Sequence, residues 1–314
     1  MLRCPSWDEG EVIWGIGGAA RDGPARGRTC PGRFTLLCYY QMSLPLSVAI
    51  VCRNNEATIG RTLDSVKGLA REIVALDSGS TDRTIEILES HGARIESIEW
   101  MGHVKTKQAA LDACTKPWIL CLDSDESVEP DLRTSIEHAI GRDSELDPLI
   151  TGFRVNRKVW YAGRFLDHAW QPEWRLRLVQ RGAAHWTGLD PHDRLDLLGT
   201  AGGLSGKPAR TAKLVGTLRH DSFADMTDHL HNQVRHARTS AQSLADAGKR
   251  GSYLALLVSP AGAFVKQMIF KRAFLDGPRG WTAAGATAAA TLMKHLALIE
   301  RTRIKDADAH RHGD

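Results

Sequence analysis

The sequence predicts an α/β fold: a doubly wound, mostly parallel sheet with a helical appendage at its C-terminal end. Three observations carry this. Short apolar runs at residues 47–52 (SVAIVC), 72–76 (EIVAL) and 118–122 (WILCL) alternate with helical stretches of about ten residues. Each run ends in a polar cluster: Arg53-Asn54-Asn55-Glu56, Asp77-Ser78-Gly79-Ser80 and Asp123-Ser124-Asp125-Glu126. After about residue 150 the alternation stops and period-two stretches take over. In doubly wound sheets ligands bind beyond the carboxyl ends of the strands, so the polar clusters fall where a site belongs.

Each element follows from its local pattern. Residues 47–52 read as a buried strand, and 57–69 as a helix with Ile59, Leu63 and Val66 on one face. Residues 72–76 are a second strand running into Asp77. Residues 81–91 are a helix through Ile85, Ile87 and Leu88, stopped by Gly92. A third strand is expected over 93–99, a helix over 106–114, a fourth strand over 118–122, and a helix over 130–140 with Pro130 at its start. Residues 152–159 and 174–179 alternate as antiparallel strands do, and 213–218 form a short strand before His220. A helix over 226–247 follows. Its Leu230, Val234, Ala237 and Leu244 make the apolar face, and His229, His231 and His236 are expected on a solvated one.

Composition narrows the class. The chain has 314 residues, 42% hydrophobic and 25% charged, which excludes a disordered chain and a coiled coil. Its formal net charge is only +4, so nucleic acid is not an expected partner. Cys4, Cys30, Cys38, Cys52, Cys114 and Cys121 form no CxxC pair, which fits a reducing compartment better than a disulfide or zinc framework. Residues 1–43 lack periodicity and read as a disordered extension, or as sequence ahead of a true start at Met42. Asp8, Glu9 and Glu11 interrupt what a signal peptide would need as its apolar region. The apolar stretches 252–265 and 281–293 are short and Pro260 breaks the first, so no spanning helix is expected.

The Asp123-Ser124-Asp125 element carries the most chemistry. Two carboxylates one residue apart at a strand end can hold a hard divalent cation whose other positions ligand phosphates fill. The competing account is a turn capping the 130–140 helix. Asp77 at the previous strand end can accept from a base or ribose; the competing account of this segment is helix capping, with Gly79 permitting a tight turn and Asp82 capping the helix. Between residues 252 and 274 the apolar run carries Lys266, Lys271 and Arg272. It either packs on the main domain or lies against an anionic membrane surface.

Residues 47–56, 77–82, 105–108 and 123–126 together resemble a family 2 glycosyltransferase of GT-A fold. The later part is similar to the branch that builds bacterial lipopolysaccharide core. Its hallmarks stand here as Gln171-Pro172-Glu173-Trp174-Arg175-Leu176-Arg177-Leu178, Trp186-Thr187-Gly188 followed by His192-Asp193, Leu218-Arg219-His220-Asp221-Ser222-Phe223, and Phe274-Leu275-Asp276-Gly277. The resemblance covers about 46–298 and divides the chain into the extension, a catalytic domain at 44–225 and a helical region at 226–314.

The resemblance implies an inverting, metal-dependent hexosyltransferase. A nucleotide-sugar donor, in the UDP class, would react with a glycan or lipid-linked acceptor on the cytoplasmic side of the envelope. Asn55, Glu56, Asp77, Lys107 and Asp123 would contact the donor, and Arg175, Arg177 and His192 further substrate groups. Asp123, Asp125 and His220 would hold Mg or Mn, and Asp193 would be the general base. The chain departs from the family at Arg53-Asn54-Asn55-Glu56, where Tyr-Asn-Glu is frequent, and at Leu189-Asp190-Pro191. It departs again at Asp193, where the family has Glu. Two other readings remain: a phosphatase using Asp123 as nucleophile, and an inactive sugar-nucleotide binding module.

Overall fold

The computed structural model describes residues 12–14, 43–141, 144–189, 192–199, 208–223 and 225–304. Most of the expected 1–43 extension, the Asp190-Pro191 departure and residues 305–314 lie outside the described residues.

The chain runs β1 (Val12–Trp14), β2 (Leu44–Cys52), α1 (Ile59–Val66), β3 (Ala70–Asp77), α2 (Thr84–Ser90), β4 (Arg94–Ser97), α3 (His103–Ala113), β5 (Trp118–Asp123), β6 (Glu126–Val128) and α4 (Pro130–Ile140). It continues through β7 (Ile150–Tyr161), β8 (Arg164–Phe165), β9 (Trp174–Gln180), β10 (Ala184–Leu189), β11 (His192–Leu197) and β12 (Arg210–His220). It ends in α5 (Met226–Asp246), α6 (Tyr253–Val265) and α7 (Pro278–Ile299). One sheet has the order β1-β12-β7-β9-β5-β2-β3-β4, with β6 beside β12 and β8 beside β7. The β4-β3-β2-β5 half is parallel, β9 runs antiparallel to both β5 and β7, and β7 and β12 are parallel. The alternation of β2 divides its side chains between two cores. Leu46, Val48 and Ile50 pack with α1 (Ile59, Leu63, Val66) and α4 (Leu132, Ile136). Ala49 faces α3 (Ala110, Leu111) and the β10–β11 hairpin through Trp186 and Leu195. Helices on both faces of a parallel core are the expected doubly wound arrangement.

Several expectations change. Val12–Trp14 lies as a strand beside β12, so a strand falls within the segment read as disordered. Trp186-Thr187-Gly188, given no element by its local pattern, is the middle of β10, paired with Leu195, Arg194 and Asp193. The helix expected over 57–69 is shorter, because Gly68 (φ 72°) turns the chain into β3. His229 is half-buried rather than solvated, its ring 4.5 Å from that of Phe223 and 5.2 Å from that of Trp170. Pro260 does not break α6, which continues through a π-helical turn, Lys266–Phe270. Tyr253–Phe270 thus makes 18 residues of mean hydropathy 1.4, by length and composition alone enough to cross a membrane. Cys52, Cys114 and Cys121 are buried free thiols, and burial pushes each up to about 12, so they are inert at neutral pH.

Candidate active site

Three loops at the carboxyl ends of β2, β3 and β5 meet above the sheet. The first two are laced together by their own side chains. Asn54 Oδ1 accepts from the Thr81 amide (2.7 Å), and the Asn54 amide donates to Ser80 Oγ (2.9 Å). The Glu56 amide donates to Asp82 Oδ2 (3.1 Å), and Glu56 Oε2 accepts from the Arg83 amide (3.0 Å). Asn54 takes a left-handed conformation (φ 55°) to make this lacing. Asn55 Oδ1 accepts from the Arg53 amide (2.8 Å), which shapes the same loop. Asp77 is buried, and its Oδ2 accepts from the amides of Gly79 and Ser80 (both 2.9 Å). Its Oδ1 accepts from Ser80 Oγ. Asp77 thus organises the turn around Gly79, a role that neither the donor reading nor the helix-capping reading named.

The third loop leads into a buried network of charge. Lys107, from α3, places Nζ 2.6 Å from Asp123 Oδ1 and 2.8 Å from Asp193 Oδ2, with Asp193 delivered by β11. The same ammonium sits 4.8 Å above the Trp186 ring. Arg177, from β9, places Nη2 2.8 Å from Asp123 Oδ2 and 2.6 Å from Glu126 Oε1. Arg157, from β7, reaches Glu126 (3.1 Å) and Glu173 (2.6 Å), and Arg175 reaches Glu173 (2.7 Å). Glu126 is fully buried and also accepts from the Asp123 amide (3.1 Å). Buried charges persist only when each has partners, and here every one named has them.

The electrostatics follow from that pairing. Burial alone would raise the Asp123 carboxyl, but Lys107, Arg177 and Arg157 outweigh it and hold the group well below the usual range. Burial likewise works to raise the Glu173 carboxyl, but Arg157 and Arg175 outweigh it and bring the group down to about 2. Lys107 is raised: burial works against its charge, and Asp123 and Asp193 prevail over burial and the Arg177 charge together.

Asp125 stands apart from these cations. Its Oδ2 lies 3.4 Å from His220 Nε2, at the end of β12, and the Asp221 amide donates to the Asp125 carbonyl (2.9 Å). His220 holds the Asp125 carboxyl below its usual value against the effect of burial. A hard oxygen facing an imidazole nitrogen suits a divalent cation whose remaining positions go to phosphate oxygens and water. Among the described residues no three His, Cys, Asp or Glu side chains converge on one such point. The expected set of Asp123, Asp125 and His220 is therefore divided, because Asp123 turns to the three cations.

Residues 47–191 match Glycosyl transferase family 2. This chain carries a family 2 glycosyltransferase domain. The glycosyltransferase is 29% identical to the lipopolysaccharide core biosynthesis glycosyltransferase LpsC of Rhizobium meliloti (strain 1021), over 85% of this chain and 98% of that one. It is 24% identical to the uncharacterized glycosyltransferase RT0209 of Rickettsia typhi (strain ATCC VR-144 / Wilmington), over 75% and 80% of the two chains. Among solved structures it is similar to glucosyl-3-phosphoglycerate synthase from Mycobacterium tuberculosis, crystallised with Mn2+, UDP and glucosyl-3-phosphoglycerate. That match has 20% identity and a TM-score of 0.40, over 67% of this chain and 82% of that one.

In the glycosyltransferase, then, Lys107, Asp123, Arg177 and Asp193 are brought into one cluster, and Asp125 and His220 into a pair. Arg175 sits on the rim of the cluster with Glu173. His192 opens β11, and its side chain is outside the described residues. Sequence reasoning missed Glu126, Arg157, Glu173 and Trp186 as members of the network. Glu126 and Trp186 sit in the short strands β6 and β10, Arg157 in the alternating β7 and Glu173 just ahead of β9, so only the fold brings them together.

Proposed function

We propose that the domain moves a sugar from a nucleotide-sugar donor, of the UDP class, to a glycan or lipid-linked acceptor with inversion at the anomeric carbon. The catalytic unit is 44–225 and the helical region 226–314 its appendage. The work belongs to cell-envelope polysaccharide or lipopolysaccharide synthesis on the cytoplasmic side of the membrane. LpsC, which this chain matches almost end to end, supports that acceptor class. The observation that carries the reading is Asp193, which β11 brings to the charged end of β5, one ammonium away from Asp123.

Asp125 and His220 would hold a divalent cation, Mg or Mn, which when bound neutralises charge on the leaving diphosphate. Asp193 takes the proton of the acceptor hydroxyl as its oxygen bonds to the anomeric carbon. The bond from that carbon to the diphosphate breaks, and the diphosphate leaves with the electron pair. Lys107 fixes the direction of the Asp193 carboxylate. Arg157 and Arg177 keep Asp123 ionised beside the donor, and Asn55, Glu56 and Asp77 shape the loops that receive its nucleoside.

A phosphatase with Asp123 as nucleophile is disfavoured, since both oxygens of that carboxylate are already held by cations. Incubation with a panel of UDP-sugars and Mg or Mn, followed by assay of free UDP and sugar, tests the reading. Turnover of p-nitrophenyl phosphate with none of any UDP-sugar would replace it by the phosphatase.

A further inference from the structure

The helix α6 leaves a row of large apolar side chains in the open. Its exposed stripe holds Tyr253, Leu254, Leu257, Val258 and Val265, and continues through the π-helical turn as Ile269 and Phe270. Leu257 is 75% exposed and Phe270 79%. The stripe recurs every fourth residue, the repeat that keeps one helix face in line. No residue within α6 is fully buried, and its less exposed face carries Ala255, Leu256, Ser259, Pro260, Ala263 and Phe264, with Phe264 packed on the core around Val159, Leu166 and Phe223. Leu256 and Phe264 face the protein as in any packed helix, but a helix that packs only on protein would not also leave Leu254, Leu257, Val258 and Val265 outward. The apolar surface extends beyond α6 to Phe274 and Leu275 in the connecting turn and to Trp281 on α7, all at least half exposed. The Trp281 ring lies 6.0 Å from that of Phe264 and joins the two helices. An apolar face of this extent marks an interaction surface.

Charge selects the occupant. From Gly248 to Leu275 the chain has no acidic residue and carries Lys249, Arg250, Lys266 and Arg272, besides Lys271, which turns inward to the Gln171 carbonyl. The Arg303 guanidinium adds a further positive charge 5.4 Å from the Tyr253 ring. The carboxylate that follows this run, Asp276, is turned inward, where it accepts from the amides of Asp167, His168 and Ala169. A second copy of this chain would set the positive rim against itself. An anionic bilayer matches it, taking the apolar stripe at the acyl boundary and the basic side chains at the headgroups.

Both ends of α6 are tied to the same body, which excludes a spanning orientation for this fold. At the start, the Gly251 amide donates to Thr302 Oγ1 (2.9 Å), and its Cα packs so closely on the Ile299 backbone that an added Cβ would stand 2.6 Å away. At the end, Gln267 Oε1 accepts from the Trp170 amide (3.1 Å) and Lys271 Nζ donates to the Gln171 carbonyl (2.7 Å). Gln171 and Trp170 lead directly into Glu173 of the charge network. The segment must therefore lie along the protein, and cannot leave it to cross a bilayer.

We infer that the elbow formed by α6, its π-helical turn and the start of α7 is a monotopic membrane-docking face. It lies in the plane of an anionic leaflet, and it does not depend on the reading of the active site. The test is flotation of the full chain with vesicles of phosphatidylcholine alone and of phosphatidylcholine with 30% phosphatidylglycerol. Binding is expected to the anionic vesicles, to fall at least tenfold between 0.1 and 1 M salt, and to be released by alkaline carbonate. The double variant Leu257→Asp/Phe270→Asp should lose binding at least tenfold while its melting temperature and UDP affinity stay those of the parent. Both positions are exposed, so folding is not at risk. A separate variant, Lys266→Glu/Arg272→Glu, should lose only the anionic preference. The proposal fails if the chain ignores anionic vesicles at low salt, if the double variant floats as the parent does, or if carbonate leaves the chain embedded. It also fails if sedimentation equilibrium shows a dimer that the same double variant dissolves, since the occupant is then a second copy.

Discussion

The Lys107 ammonium stands 2.8 Å from the Asp193 carboxylate, a contact between α3 and the β11 strand that closes across 86 residues of chain. Neither partner is free to wander. Lys107 is also held by Asp123 and rests over Trp186, and Trp186 in turn anchors β10 to α3 by donating its amide to Gln108 Oε1 (2.8 Å). The β10–β11 hairpin is therefore docked at two points, one polar and one through its buried Trp186 and Leu195. That docking is what gives a carboxylate from the second half of the chain a defined position over the parallel half of the sheet.

Glu126 is the keystone of the buried charge, and its loss should be felt in stability before activity. Removing one partner of a buried ion pair costs about 3–5 kcal/mol, because the other charges stay buried without compensation. Glu126→Gln leaves Arg177 and Arg157 in that state. The melting temperature is expected to fall on the order of 10 °C. A fall of less than about 2 °C would show that water reaches these guanidinium groups.

Glu173 should make the fold acid-sensitive. Its carboxyl is lowered from 4.5 to about 2, so it binds protons less readily folded than unfolded. The stability it contributes is complete above the unfolded value and is lost as pH falls from about 4.5 toward 2, a total of ~3 kcal/mol. Asp123, lowered in the same direction, adds to the slope. Urea midpoints measured from pH 5.5 to 2.5 should decline more steeply for the parent than for Glu173→Gln. Parallel curves would mean that the Arg157 and Arg175 contacts do not survive in solution.

The parallel half of the fold was legible because its strands, Leu44–Cys52 and Trp118–Asp123 above all, are continuous apolar runs bounded by loops. The clusters around Asp77, Asp123 and Asp125 were legible as strand ends. What escaped was decided across the chain. β6 is three residues long and exists because Glu126, Ser127 and Val128 pair with β12. Gly188 in Trp186-Thr187-Gly188 suggests a turn, yet its partner Asp193 makes it a strand. Arg157 and Glu173 each follow an ordinary alternating pattern, and only their mutual contact gives them a role. The same holds for Asp123: spacing pairs it with Asp125, whereas the cations from α3, β7 and β9 claim it.

Val12–Trp14 adds three residues to one edge of the sheet, far in topology from β5. A chain beginning at Met42 should therefore bind UDP as the full chain does and melt within roughly 3 °C of it, the effect of about 1 kcal/mol. A loss of UDP affinity would show that the segment reaches the site.

Asp125→Ala and His220→Ala should each abolish the part of UDP binding that depends on Mg or Mn. A ligand that binds only the folded state raises its melting temperature, so the difference between shifts with and without the cation reads the site directly. In the parent the cation should enlarge the shift, and in both variants it should not. If His220→Ala keeps the cation effect while Asp125→Ala loses it, the imidazole only orients the carboxylate.

Asp193→Asn separates the general base from a group that merely holds the cluster together. The amide keeps the size and can still lie beside Lys107, but it cannot accept the acceptor's proton. Transfer is expected to fall by roughly the 10²–10⁴-fold of a lost acid–base group, with UDP affinity and melting temperature close to those of the parent. Lys107→Met provides the contrast. It removes the ammonium from Asp123 and Asp193 together, so both UDP affinity and transfer should drop, and the melting temperature with them. If Asp193→Asn loses UDP affinity in parallel with transfer, it behaves like Lys107→Met and the carboxylate is structural. If transfer persists at the parent rate, the proton leaves by another group. Only the divided outcome, donor bound and transfer lost, assigns the base to Asp193.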